Sequence, residues 1–183
     1  MSRRVALLFV SAFVAVLLAA RAQAALPQVQ VKGYTDPGCA TGAIAPPGNF
    51  CVPVAIRFAY WATPTGVGQR AKGLFLEQPL PNGVPITTRR GVVRCLSVSG
   101  NAAVIGGIFT APLSAAGIPF VEYTVDNGPP GSATPDLEGL LGAFPPGDPD
   151  WVFLPAGFPK VCPSPTAPIY GYLPLSQGDA IVR

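Results

Sequence analysis

Proline and glycine leave this chain almost no room for a helix. All 21 Gly and 23 Pro fall after residue 24, so they make up 44 of the 159 residues from Ala25 onward. A Pro inside a helix removes a hydrogen bond and clashes with the preceding turn, and a Gly there costs about 1 kcal/mol relative to Ala. The longest Pro-free stretch of this part, Ile86–Ala111, is itself interrupted by Gly91, Gly100, Gly106 and Gly107. Its Val, Ile, Thr and Phe suit a pleated, half-buried surface.

So high a Pro/Gly share would fit disorder, but the apolar residues between the turns alternate. In Val52–Tyr60 the even positions read Val52, Val54, Ile56, Phe58, Tyr60, and the odd ones Pro53, Ala55, Arg57, Ala59. In Ile118–Val125 the same reading turns Val121, Tyr123 and Val125 inward and Glu122 and Thr124 outward. A period of two describes a sheet with one face on a core. Val92–Ser99 and Ala102–Thr110 flank Gly100-Asn101, a two-residue hairpin signal. Gln28–Tyr34, Lys72–Glu77 and Asp179–Val182 are further expected strands, and Pro53 places its own strand at an edge or a bulge. The expected fold is all-β, a mostly antiparallel barrel or sandwich of about seven to nine strands. Closure is favoured because charged residues, 11% of the chain, are too few to guard open edges.

The first 24 residues read as a signal peptide. Arg3 and Arg4 precede the apolar run Val5–Ala20, and Ala22-Gln23-Ala24 gives the small-x-small pattern for cleavage before Ala25. As a helix that run spans about 24 Å, short of a bilayer core of about 30 Å, so no transmembrane segment is expected in the mature chain. Arg3, Arg4 and Arg21 leave with the signal, and the remaining nine basic residues meet nine acidic ones. Neutrality by count removes the electrostatic reason to expect nucleic acid or an anionic membrane as partner. The expected location is secreted or cell-envelope.

Cys39, Cys51, Cys95 and Cys162 all lie after the signal. An even count in an exported chain argues for two disulfides, with three possible connectivities. Cys39–Cys51 with Cys95–Cys162 is preferred. The first closes a short loop holding Pro46-Pro47-Gly48, and the second ties a strand to the Pro-rich segment Phe144–Pro174. That segment sits within a single β domain, 25–183. It carries Trp151, Phe153, Phe158, Tyr170 and Tyr172, which either pack over the sheet or form a ligand-binding platform. On the binding reading, loss of Trp151 should abolish binding and spare the fold.

Catalytic chemistry has little to work with. The chain has no His, so Ser-His-Asp and Cys-His arrangements are excluded. No C-x-x-C spacing seats a metal ion, and no cofactor is expected. Gly66-Val67-Gly68-Gln69-Arg70-Ala71 matches a dinucleotide fingerprint in letters. The residues after it read as strand where that site needs a helix, so it is a hairpin turn. Carboxylates remain: Glu122 and Asp126, at the end of a regular strand, are the pair on which an exported glycosidase-like hydrolase would depend. Asp126-Asn127-Gly128 with Asp136 and Glu138 lacks EF-hand spacing and reads as a turn rather than a Ca²⁺ loop.

Val93-x-Cys95-Leu96-x-Val98-x-Gly100-Asn101-x-Ala103-x-Ile105-Gly106-Gly107, then Val125-Asp126-Asn127-Gly128-x-Pro130, then Gly178-Asp179-x-Ile181-Val182, resembles a group of exported bacterial β domains. They are found alone or beside choice-of-anchor surface regions. The resemblance implies a β fold without assigned enzymatic activity or agreed ligand. Members often end in a His-containing strand, where this chain has Ile181-Val182-Arg183. The expected function is a non-catalytic secreted or surface-associated module, binding or structural. Its partner would be a glycan, a small apolar ligand or a cell-surface protein.

Overall fold

The computed structural model describes residues 28–41, 51–66, 68–139 and 142–183. The expected signal and its cleavage point, and the Pro46-Pro47-Gly48 turn, lie outside the described residues.

Among the described residues eleven strands follow one another: β1 (Val29–Thr35), β2 (Gly38–Cys39), β3 (Cys51–Val52), β4 (Ala55–Pro64), β5 (Arg70–Leu80), β6 (Arg89–Ser99), β7 (Ala102–Ala111), β8 (Pro119–Val125), β9 (Leu137–Gly139), β10 (Gly142–Ala143) and β11 (Tyr172–Val182). The order β8-β7-β6-β5-β4-β1-β11-β9 returns to β8, because β9 also pairs with β8. The result is a closed eight-stranded antiparallel barrel. β10 adds a ninth strand against β8, and β2 with β3 forms a separate ribbon.

The local signals act as expected. Gly100, at φ 60°, turns β6 into β7. In β4, Ile56, Phe58 and Tyr60 are buried while Arg57 is exposed, and Pro53 falls in the gap between β3 and β4. After Gly68 the chain enters β5, a strand and not a helix. The cysteines pair as Cys39–Cys51 and Cys95–Cys162. Strand β11 is longer than Asp179–Val182, running from Tyr172 through Pro174 and Gly178.

The barrel interior is filled by rings. Phe75 stands between Tyr60 and Phe120 at centroid distances of 5.7 and 4.6 Å, and Phe109 meets Phe120 at 5.0 Å. A second core lies outside the barrel, where Val104, Val121, Tyr123 and Cys95 meet Phe144, Phe158, Cys162 and Ile169 of the Pro-rich segment.

This second core corrects the reading of β8. Glu122 and Thr124 are buried beside Phe120, facing the barrel interior, and Val121 and Tyr123 face outward under the Pro-rich segment. Alternation separates two faces, but it does not say which is which when both are covered.

Candidate functional site

The five aromatics of the Pro-rich segment are mostly spent on packing. Phe144 meets Trp151, Phe158 and Tyr170 at 6.1, 6.1 and 6.3 Å, and Trp151 meets Phe158 edge-on at 6.1 Å. The Tyr170 hydroxyl donates to Asp150 Oδ2 at 2.6 Å, and the Tyr172 hydroxyl to the Pro165 carbonyl at 2.9 Å. Phe158 is buried and Phe153 partly so. Trp151 alone keeps substantial exposure, 37%, beside a cleft bordered by Ile118, Pro119, Pro146 and Gly147. Two of these ring pairs meet edge to face, one is tilted and one stacked, and together they pack as a small cluster around Phe144 and Phe158.

Glu122 and Asp126 do not converge. Asp126 Oδ1 accepts from the Gly128 amide at 3.0 Å and Oδ2 from the Val182 amide at 3.1 Å. Asp136, in the loop just before β9, does the same, accepting from Asn127 N at 2.7 Å and Ala180 N at 2.8 Å. Strand β9 reaches only Tyr172–Pro174 of β11, so these two carboxylates occupy the acceptor places a longer strand would have filled. Asn101 joins them, its side-chain amide donating to the Asp126 carbonyl at 2.7 Å. The motif segments around Gly100-Asn101, Asp126-Asn127-Gly128 and Gly178-Asp179 thus meet at one end of the barrel, where they close it. Among the described residues no group of three or more Cys, Asp or Glu is placed to hold a metal ion.

Glu122 instead meets Glu138, which in sequence stands among turn residues. The two carboxyls share the barrel interior, where the charge of Glu138 acts on Glu122. Glu138 Oε1 also accepts from the Tyr60 hydroxyl at 2.5 Å. Neither oxygen of Glu122, nor Oε2 of Glu138, meets any hydrogen-bond partner. Burial, then the Glu138 and Glu77 charges, hold the Glu122 pKa well above the usual carboxylate range. Burial raises Glu138 as well, against the pull of the hydrogen bond donated by the Tyr60 hydroxyl. Tyr60 is raised by the same burial and by both glutamates. Glu77 is buried too, but Arg89 reaches its Oε2 at 3.1 Å from the surface. Glu122 and Glu138 are both 0% exposed, so a substrate has no contact with them.

The surface feature best shaped for a ligand lies on the opposite wall, which the Pro-rich segment does not cover. Antiparallel register places Lys32, Ala59, Leu76 and Arg90 in one row across β1, β4, β5 and β6, and Gln30, Trp61, Leu74 and Val92 in the next. These side chains point outward, because their neighbours Val31, Tyr60, Phe75 and Val93 fill the core. Ala59 stands between larger residues and leaves an open trough of about 760 Å³, bordered by Trp61, Leu74 and Leu76. That volume falls within the usual span of ligand sites. Leu74 is 56% exposed, a large apolar side chain with no cover on the barrel wall. Alternation in the sequence sets Ala59 outward but does not join it to Trp61 and Leu74; that signal exists only through strand register.

No protein-family model, curated protein or solved structure matches this chain.

Proposed function

We propose that the chain is an exported, non-catalytic binding module whose ligand lies in the outer trough around Trp61. The observation that carries this reading is the trough itself, an exposed apolar depression with a Trp at its edge on the outer wall of the barrel. Large exposed apolar patches on soluble chains usually mark interaction sites. Two disulfides are consistent with an extracellular location. The amino-terminal signal pattern and the likeness of the turn motifs to exported bacterial β domains support the same reading. Hydrolysis by Glu122 and Asp126 finds no support, because the two carboxyls face different surroundings and Asp126 is occupied by backbone amides. The half-exposed Trp151 beside its cleft favours a second reading, with the ligand on the Pro-rich side.

A thermal-shift panel of Ca²⁺, cell-wall and plant glycans, fatty acids and sterols, run on the oxidised chain, tests both. A ligand at a hundred times its Kd adds about 2.7 kcal/mol. Trp61→Ala should remove the shift and Trp151→Ala should preserve it. The reverse pattern moves the site to the Pro-rich segment, and a flat panel from a cooperatively melting protein leaves a purely structural role.

A further inference from the structure

Resting on that reading, we infer that the trough takes an acidic polysaccharide, a chain of uronic-acid type laid across the strands. By count the part after the signal is neutral, but the fold separates its charges. Lys32, Arg57, Arg70, Lys72, Arg90 and Arg94 are exposed on β1, β4, β5 and β6. Glu77, the one acid on those four strands, points into the barrel. Glu122 and Glu138 are also sealed inside, and Asp126 and Asp136 hold backbone amides at the closing end. Among the described residues the one ion pair is Arg89–Glu77, so none of these six surface cations is neutralised by a carboxylate.

The cations frame the apolar trough. Lys32 and Arg90 stand at the two ends of the Lys32–Ala59–Leu76–Arg90 row. Three strand spacings separate them, roughly 14 Å along the sheet. One carboxylate head on a small ligand cannot serve both. A linear polymer with repeated carboxylates can, while a ring between them rests its C–H face on Trp61 and Leu74. Along the neighbouring row Arg57 is held between the Tyr34 hydroxyl, at 2.6 Å, and Gln78 Oε1, at 3.3 Å. Gln78 in turn donates to Thr88 at 2.9 Å. This rigid polar rail offers a pre-set guanidinium beside the trough.

Other anionic partners fit less well. Single-stranded nucleic acid is gripped by several stacking aromatics in a line, and here, among the described residues, Trp61 is the one aromatic side chain of the trough left partly exposed, Tyr34 being engaged under Arg57. A bilayer surface calls for protruding apolar groups, whereas this feature is a depression.

The test is titration of the oxidised full chain with polygalacturonate, with its methyl-esterified form, with phosphatidylserine vesicles and with single-stranded DNA, at low and high salt. Polygalacturonate should bind, weaken as salt rises, and lose roughly tenfold or more on esterification. The double variant Lys32→Gln/Arg90→Gln should lose a similar factor. Trp61→Ala, or Leu74→Ser if that variant melts early, should weaken both polymers. Equal affinity for the esterified polymer leaves a binding module but overturns the acidic class. Tighter binding of vesicles or DNA than of polygalacturonate overturns it in favour of that partner. Failure of all four probes, together with a flat neutral panel, overturns the binding reading as well.

Discussion

Replacing Glu122 by Gln should stabilise the protein at neutral pH and flatten its pH dependence. A buried carboxyl that ionises less readily when folded holds its proton more tightly in the native state than in the unfolded chain. Its contribution is therefore fully present below the unfolded pKa of about 4.3 and is lost as pH rises through the raised folded value. For one proton held by the buried Glu122–Glu138 pair, in which burial pushes Glu138 up to about 8, the slope is about 1.4 kcal/mol per pH unit. Stability should thus fall by about 2.7 kcal/mol between pH values of roughly 5 and 7. In a chain of this length that lowers the Tm by roughly 5–10 °C. Glu77 and Asp179, both raised by burial, act with the same sign, Glu77 being held back by Arg89. The amide introduced by Glu122→Gln would keep the shape and offer an N–H to Glu138, which Tyr60 already donates to. The like-charge conflict disappears, and a gain of about 1–3 kcal/mol at a pH near 8 is expected. Urea unfolding followed by tryptophan fluorescence across that pH range measures both quantities. Wild-type stability that is flat or rising with pH, or a Glu122→Gln variant with the same slope as wild type, would refute the account of a proton held by the buried pair.

Two further outcomes follow from the packing. Opening the Cys95–Cys162 bridge, whose ends are 67 residues apart, by Cys95→Ala/Cys162→Ala should cost about 4 kcal/mol in the chain-entropy account; a urea midpoint close to wild type would contradict it. Gly107→Ala drives a Cβ against the Val92 carbonyl and the Phe120 ring, so a loss of about 2–3 kcal/mol is expected, read as a drop in Tm.

Much of this protein was legible one segment at a time. The Pro and Gly spacing forbids helices, the even Cys count calls for bridges, and Gly100-Asn101 turns a hairpin whose strands alternate. These are local matters, because turn geometry and pleat act over a few residues. Asp126-Asn127-Gly128 was readable as turn chemistry and Asp179 as the start of a strand. Their meeting at the barrel seam, with Asp136 standing in for a missing strand, was not, since it joins residues more than forty apart.

Orientation and register needed the tertiary structure. The alternation of Val121-Glu122-Tyr123-Thr124 defines two faces, but the Pro-rich segment covers one as fully as the barrel closes over the other, so a glutamate expected outside lies within. The trough around Trp61 exists only once β1, β4, β5 and β6 align their odd and even residues into rows. Charge is the clearest case. Composition determines that acids and bases balance after residue 24; only folding puts the glutamates inside and six cations on one wall, because a sum over residues carries no direction and a surface potential does.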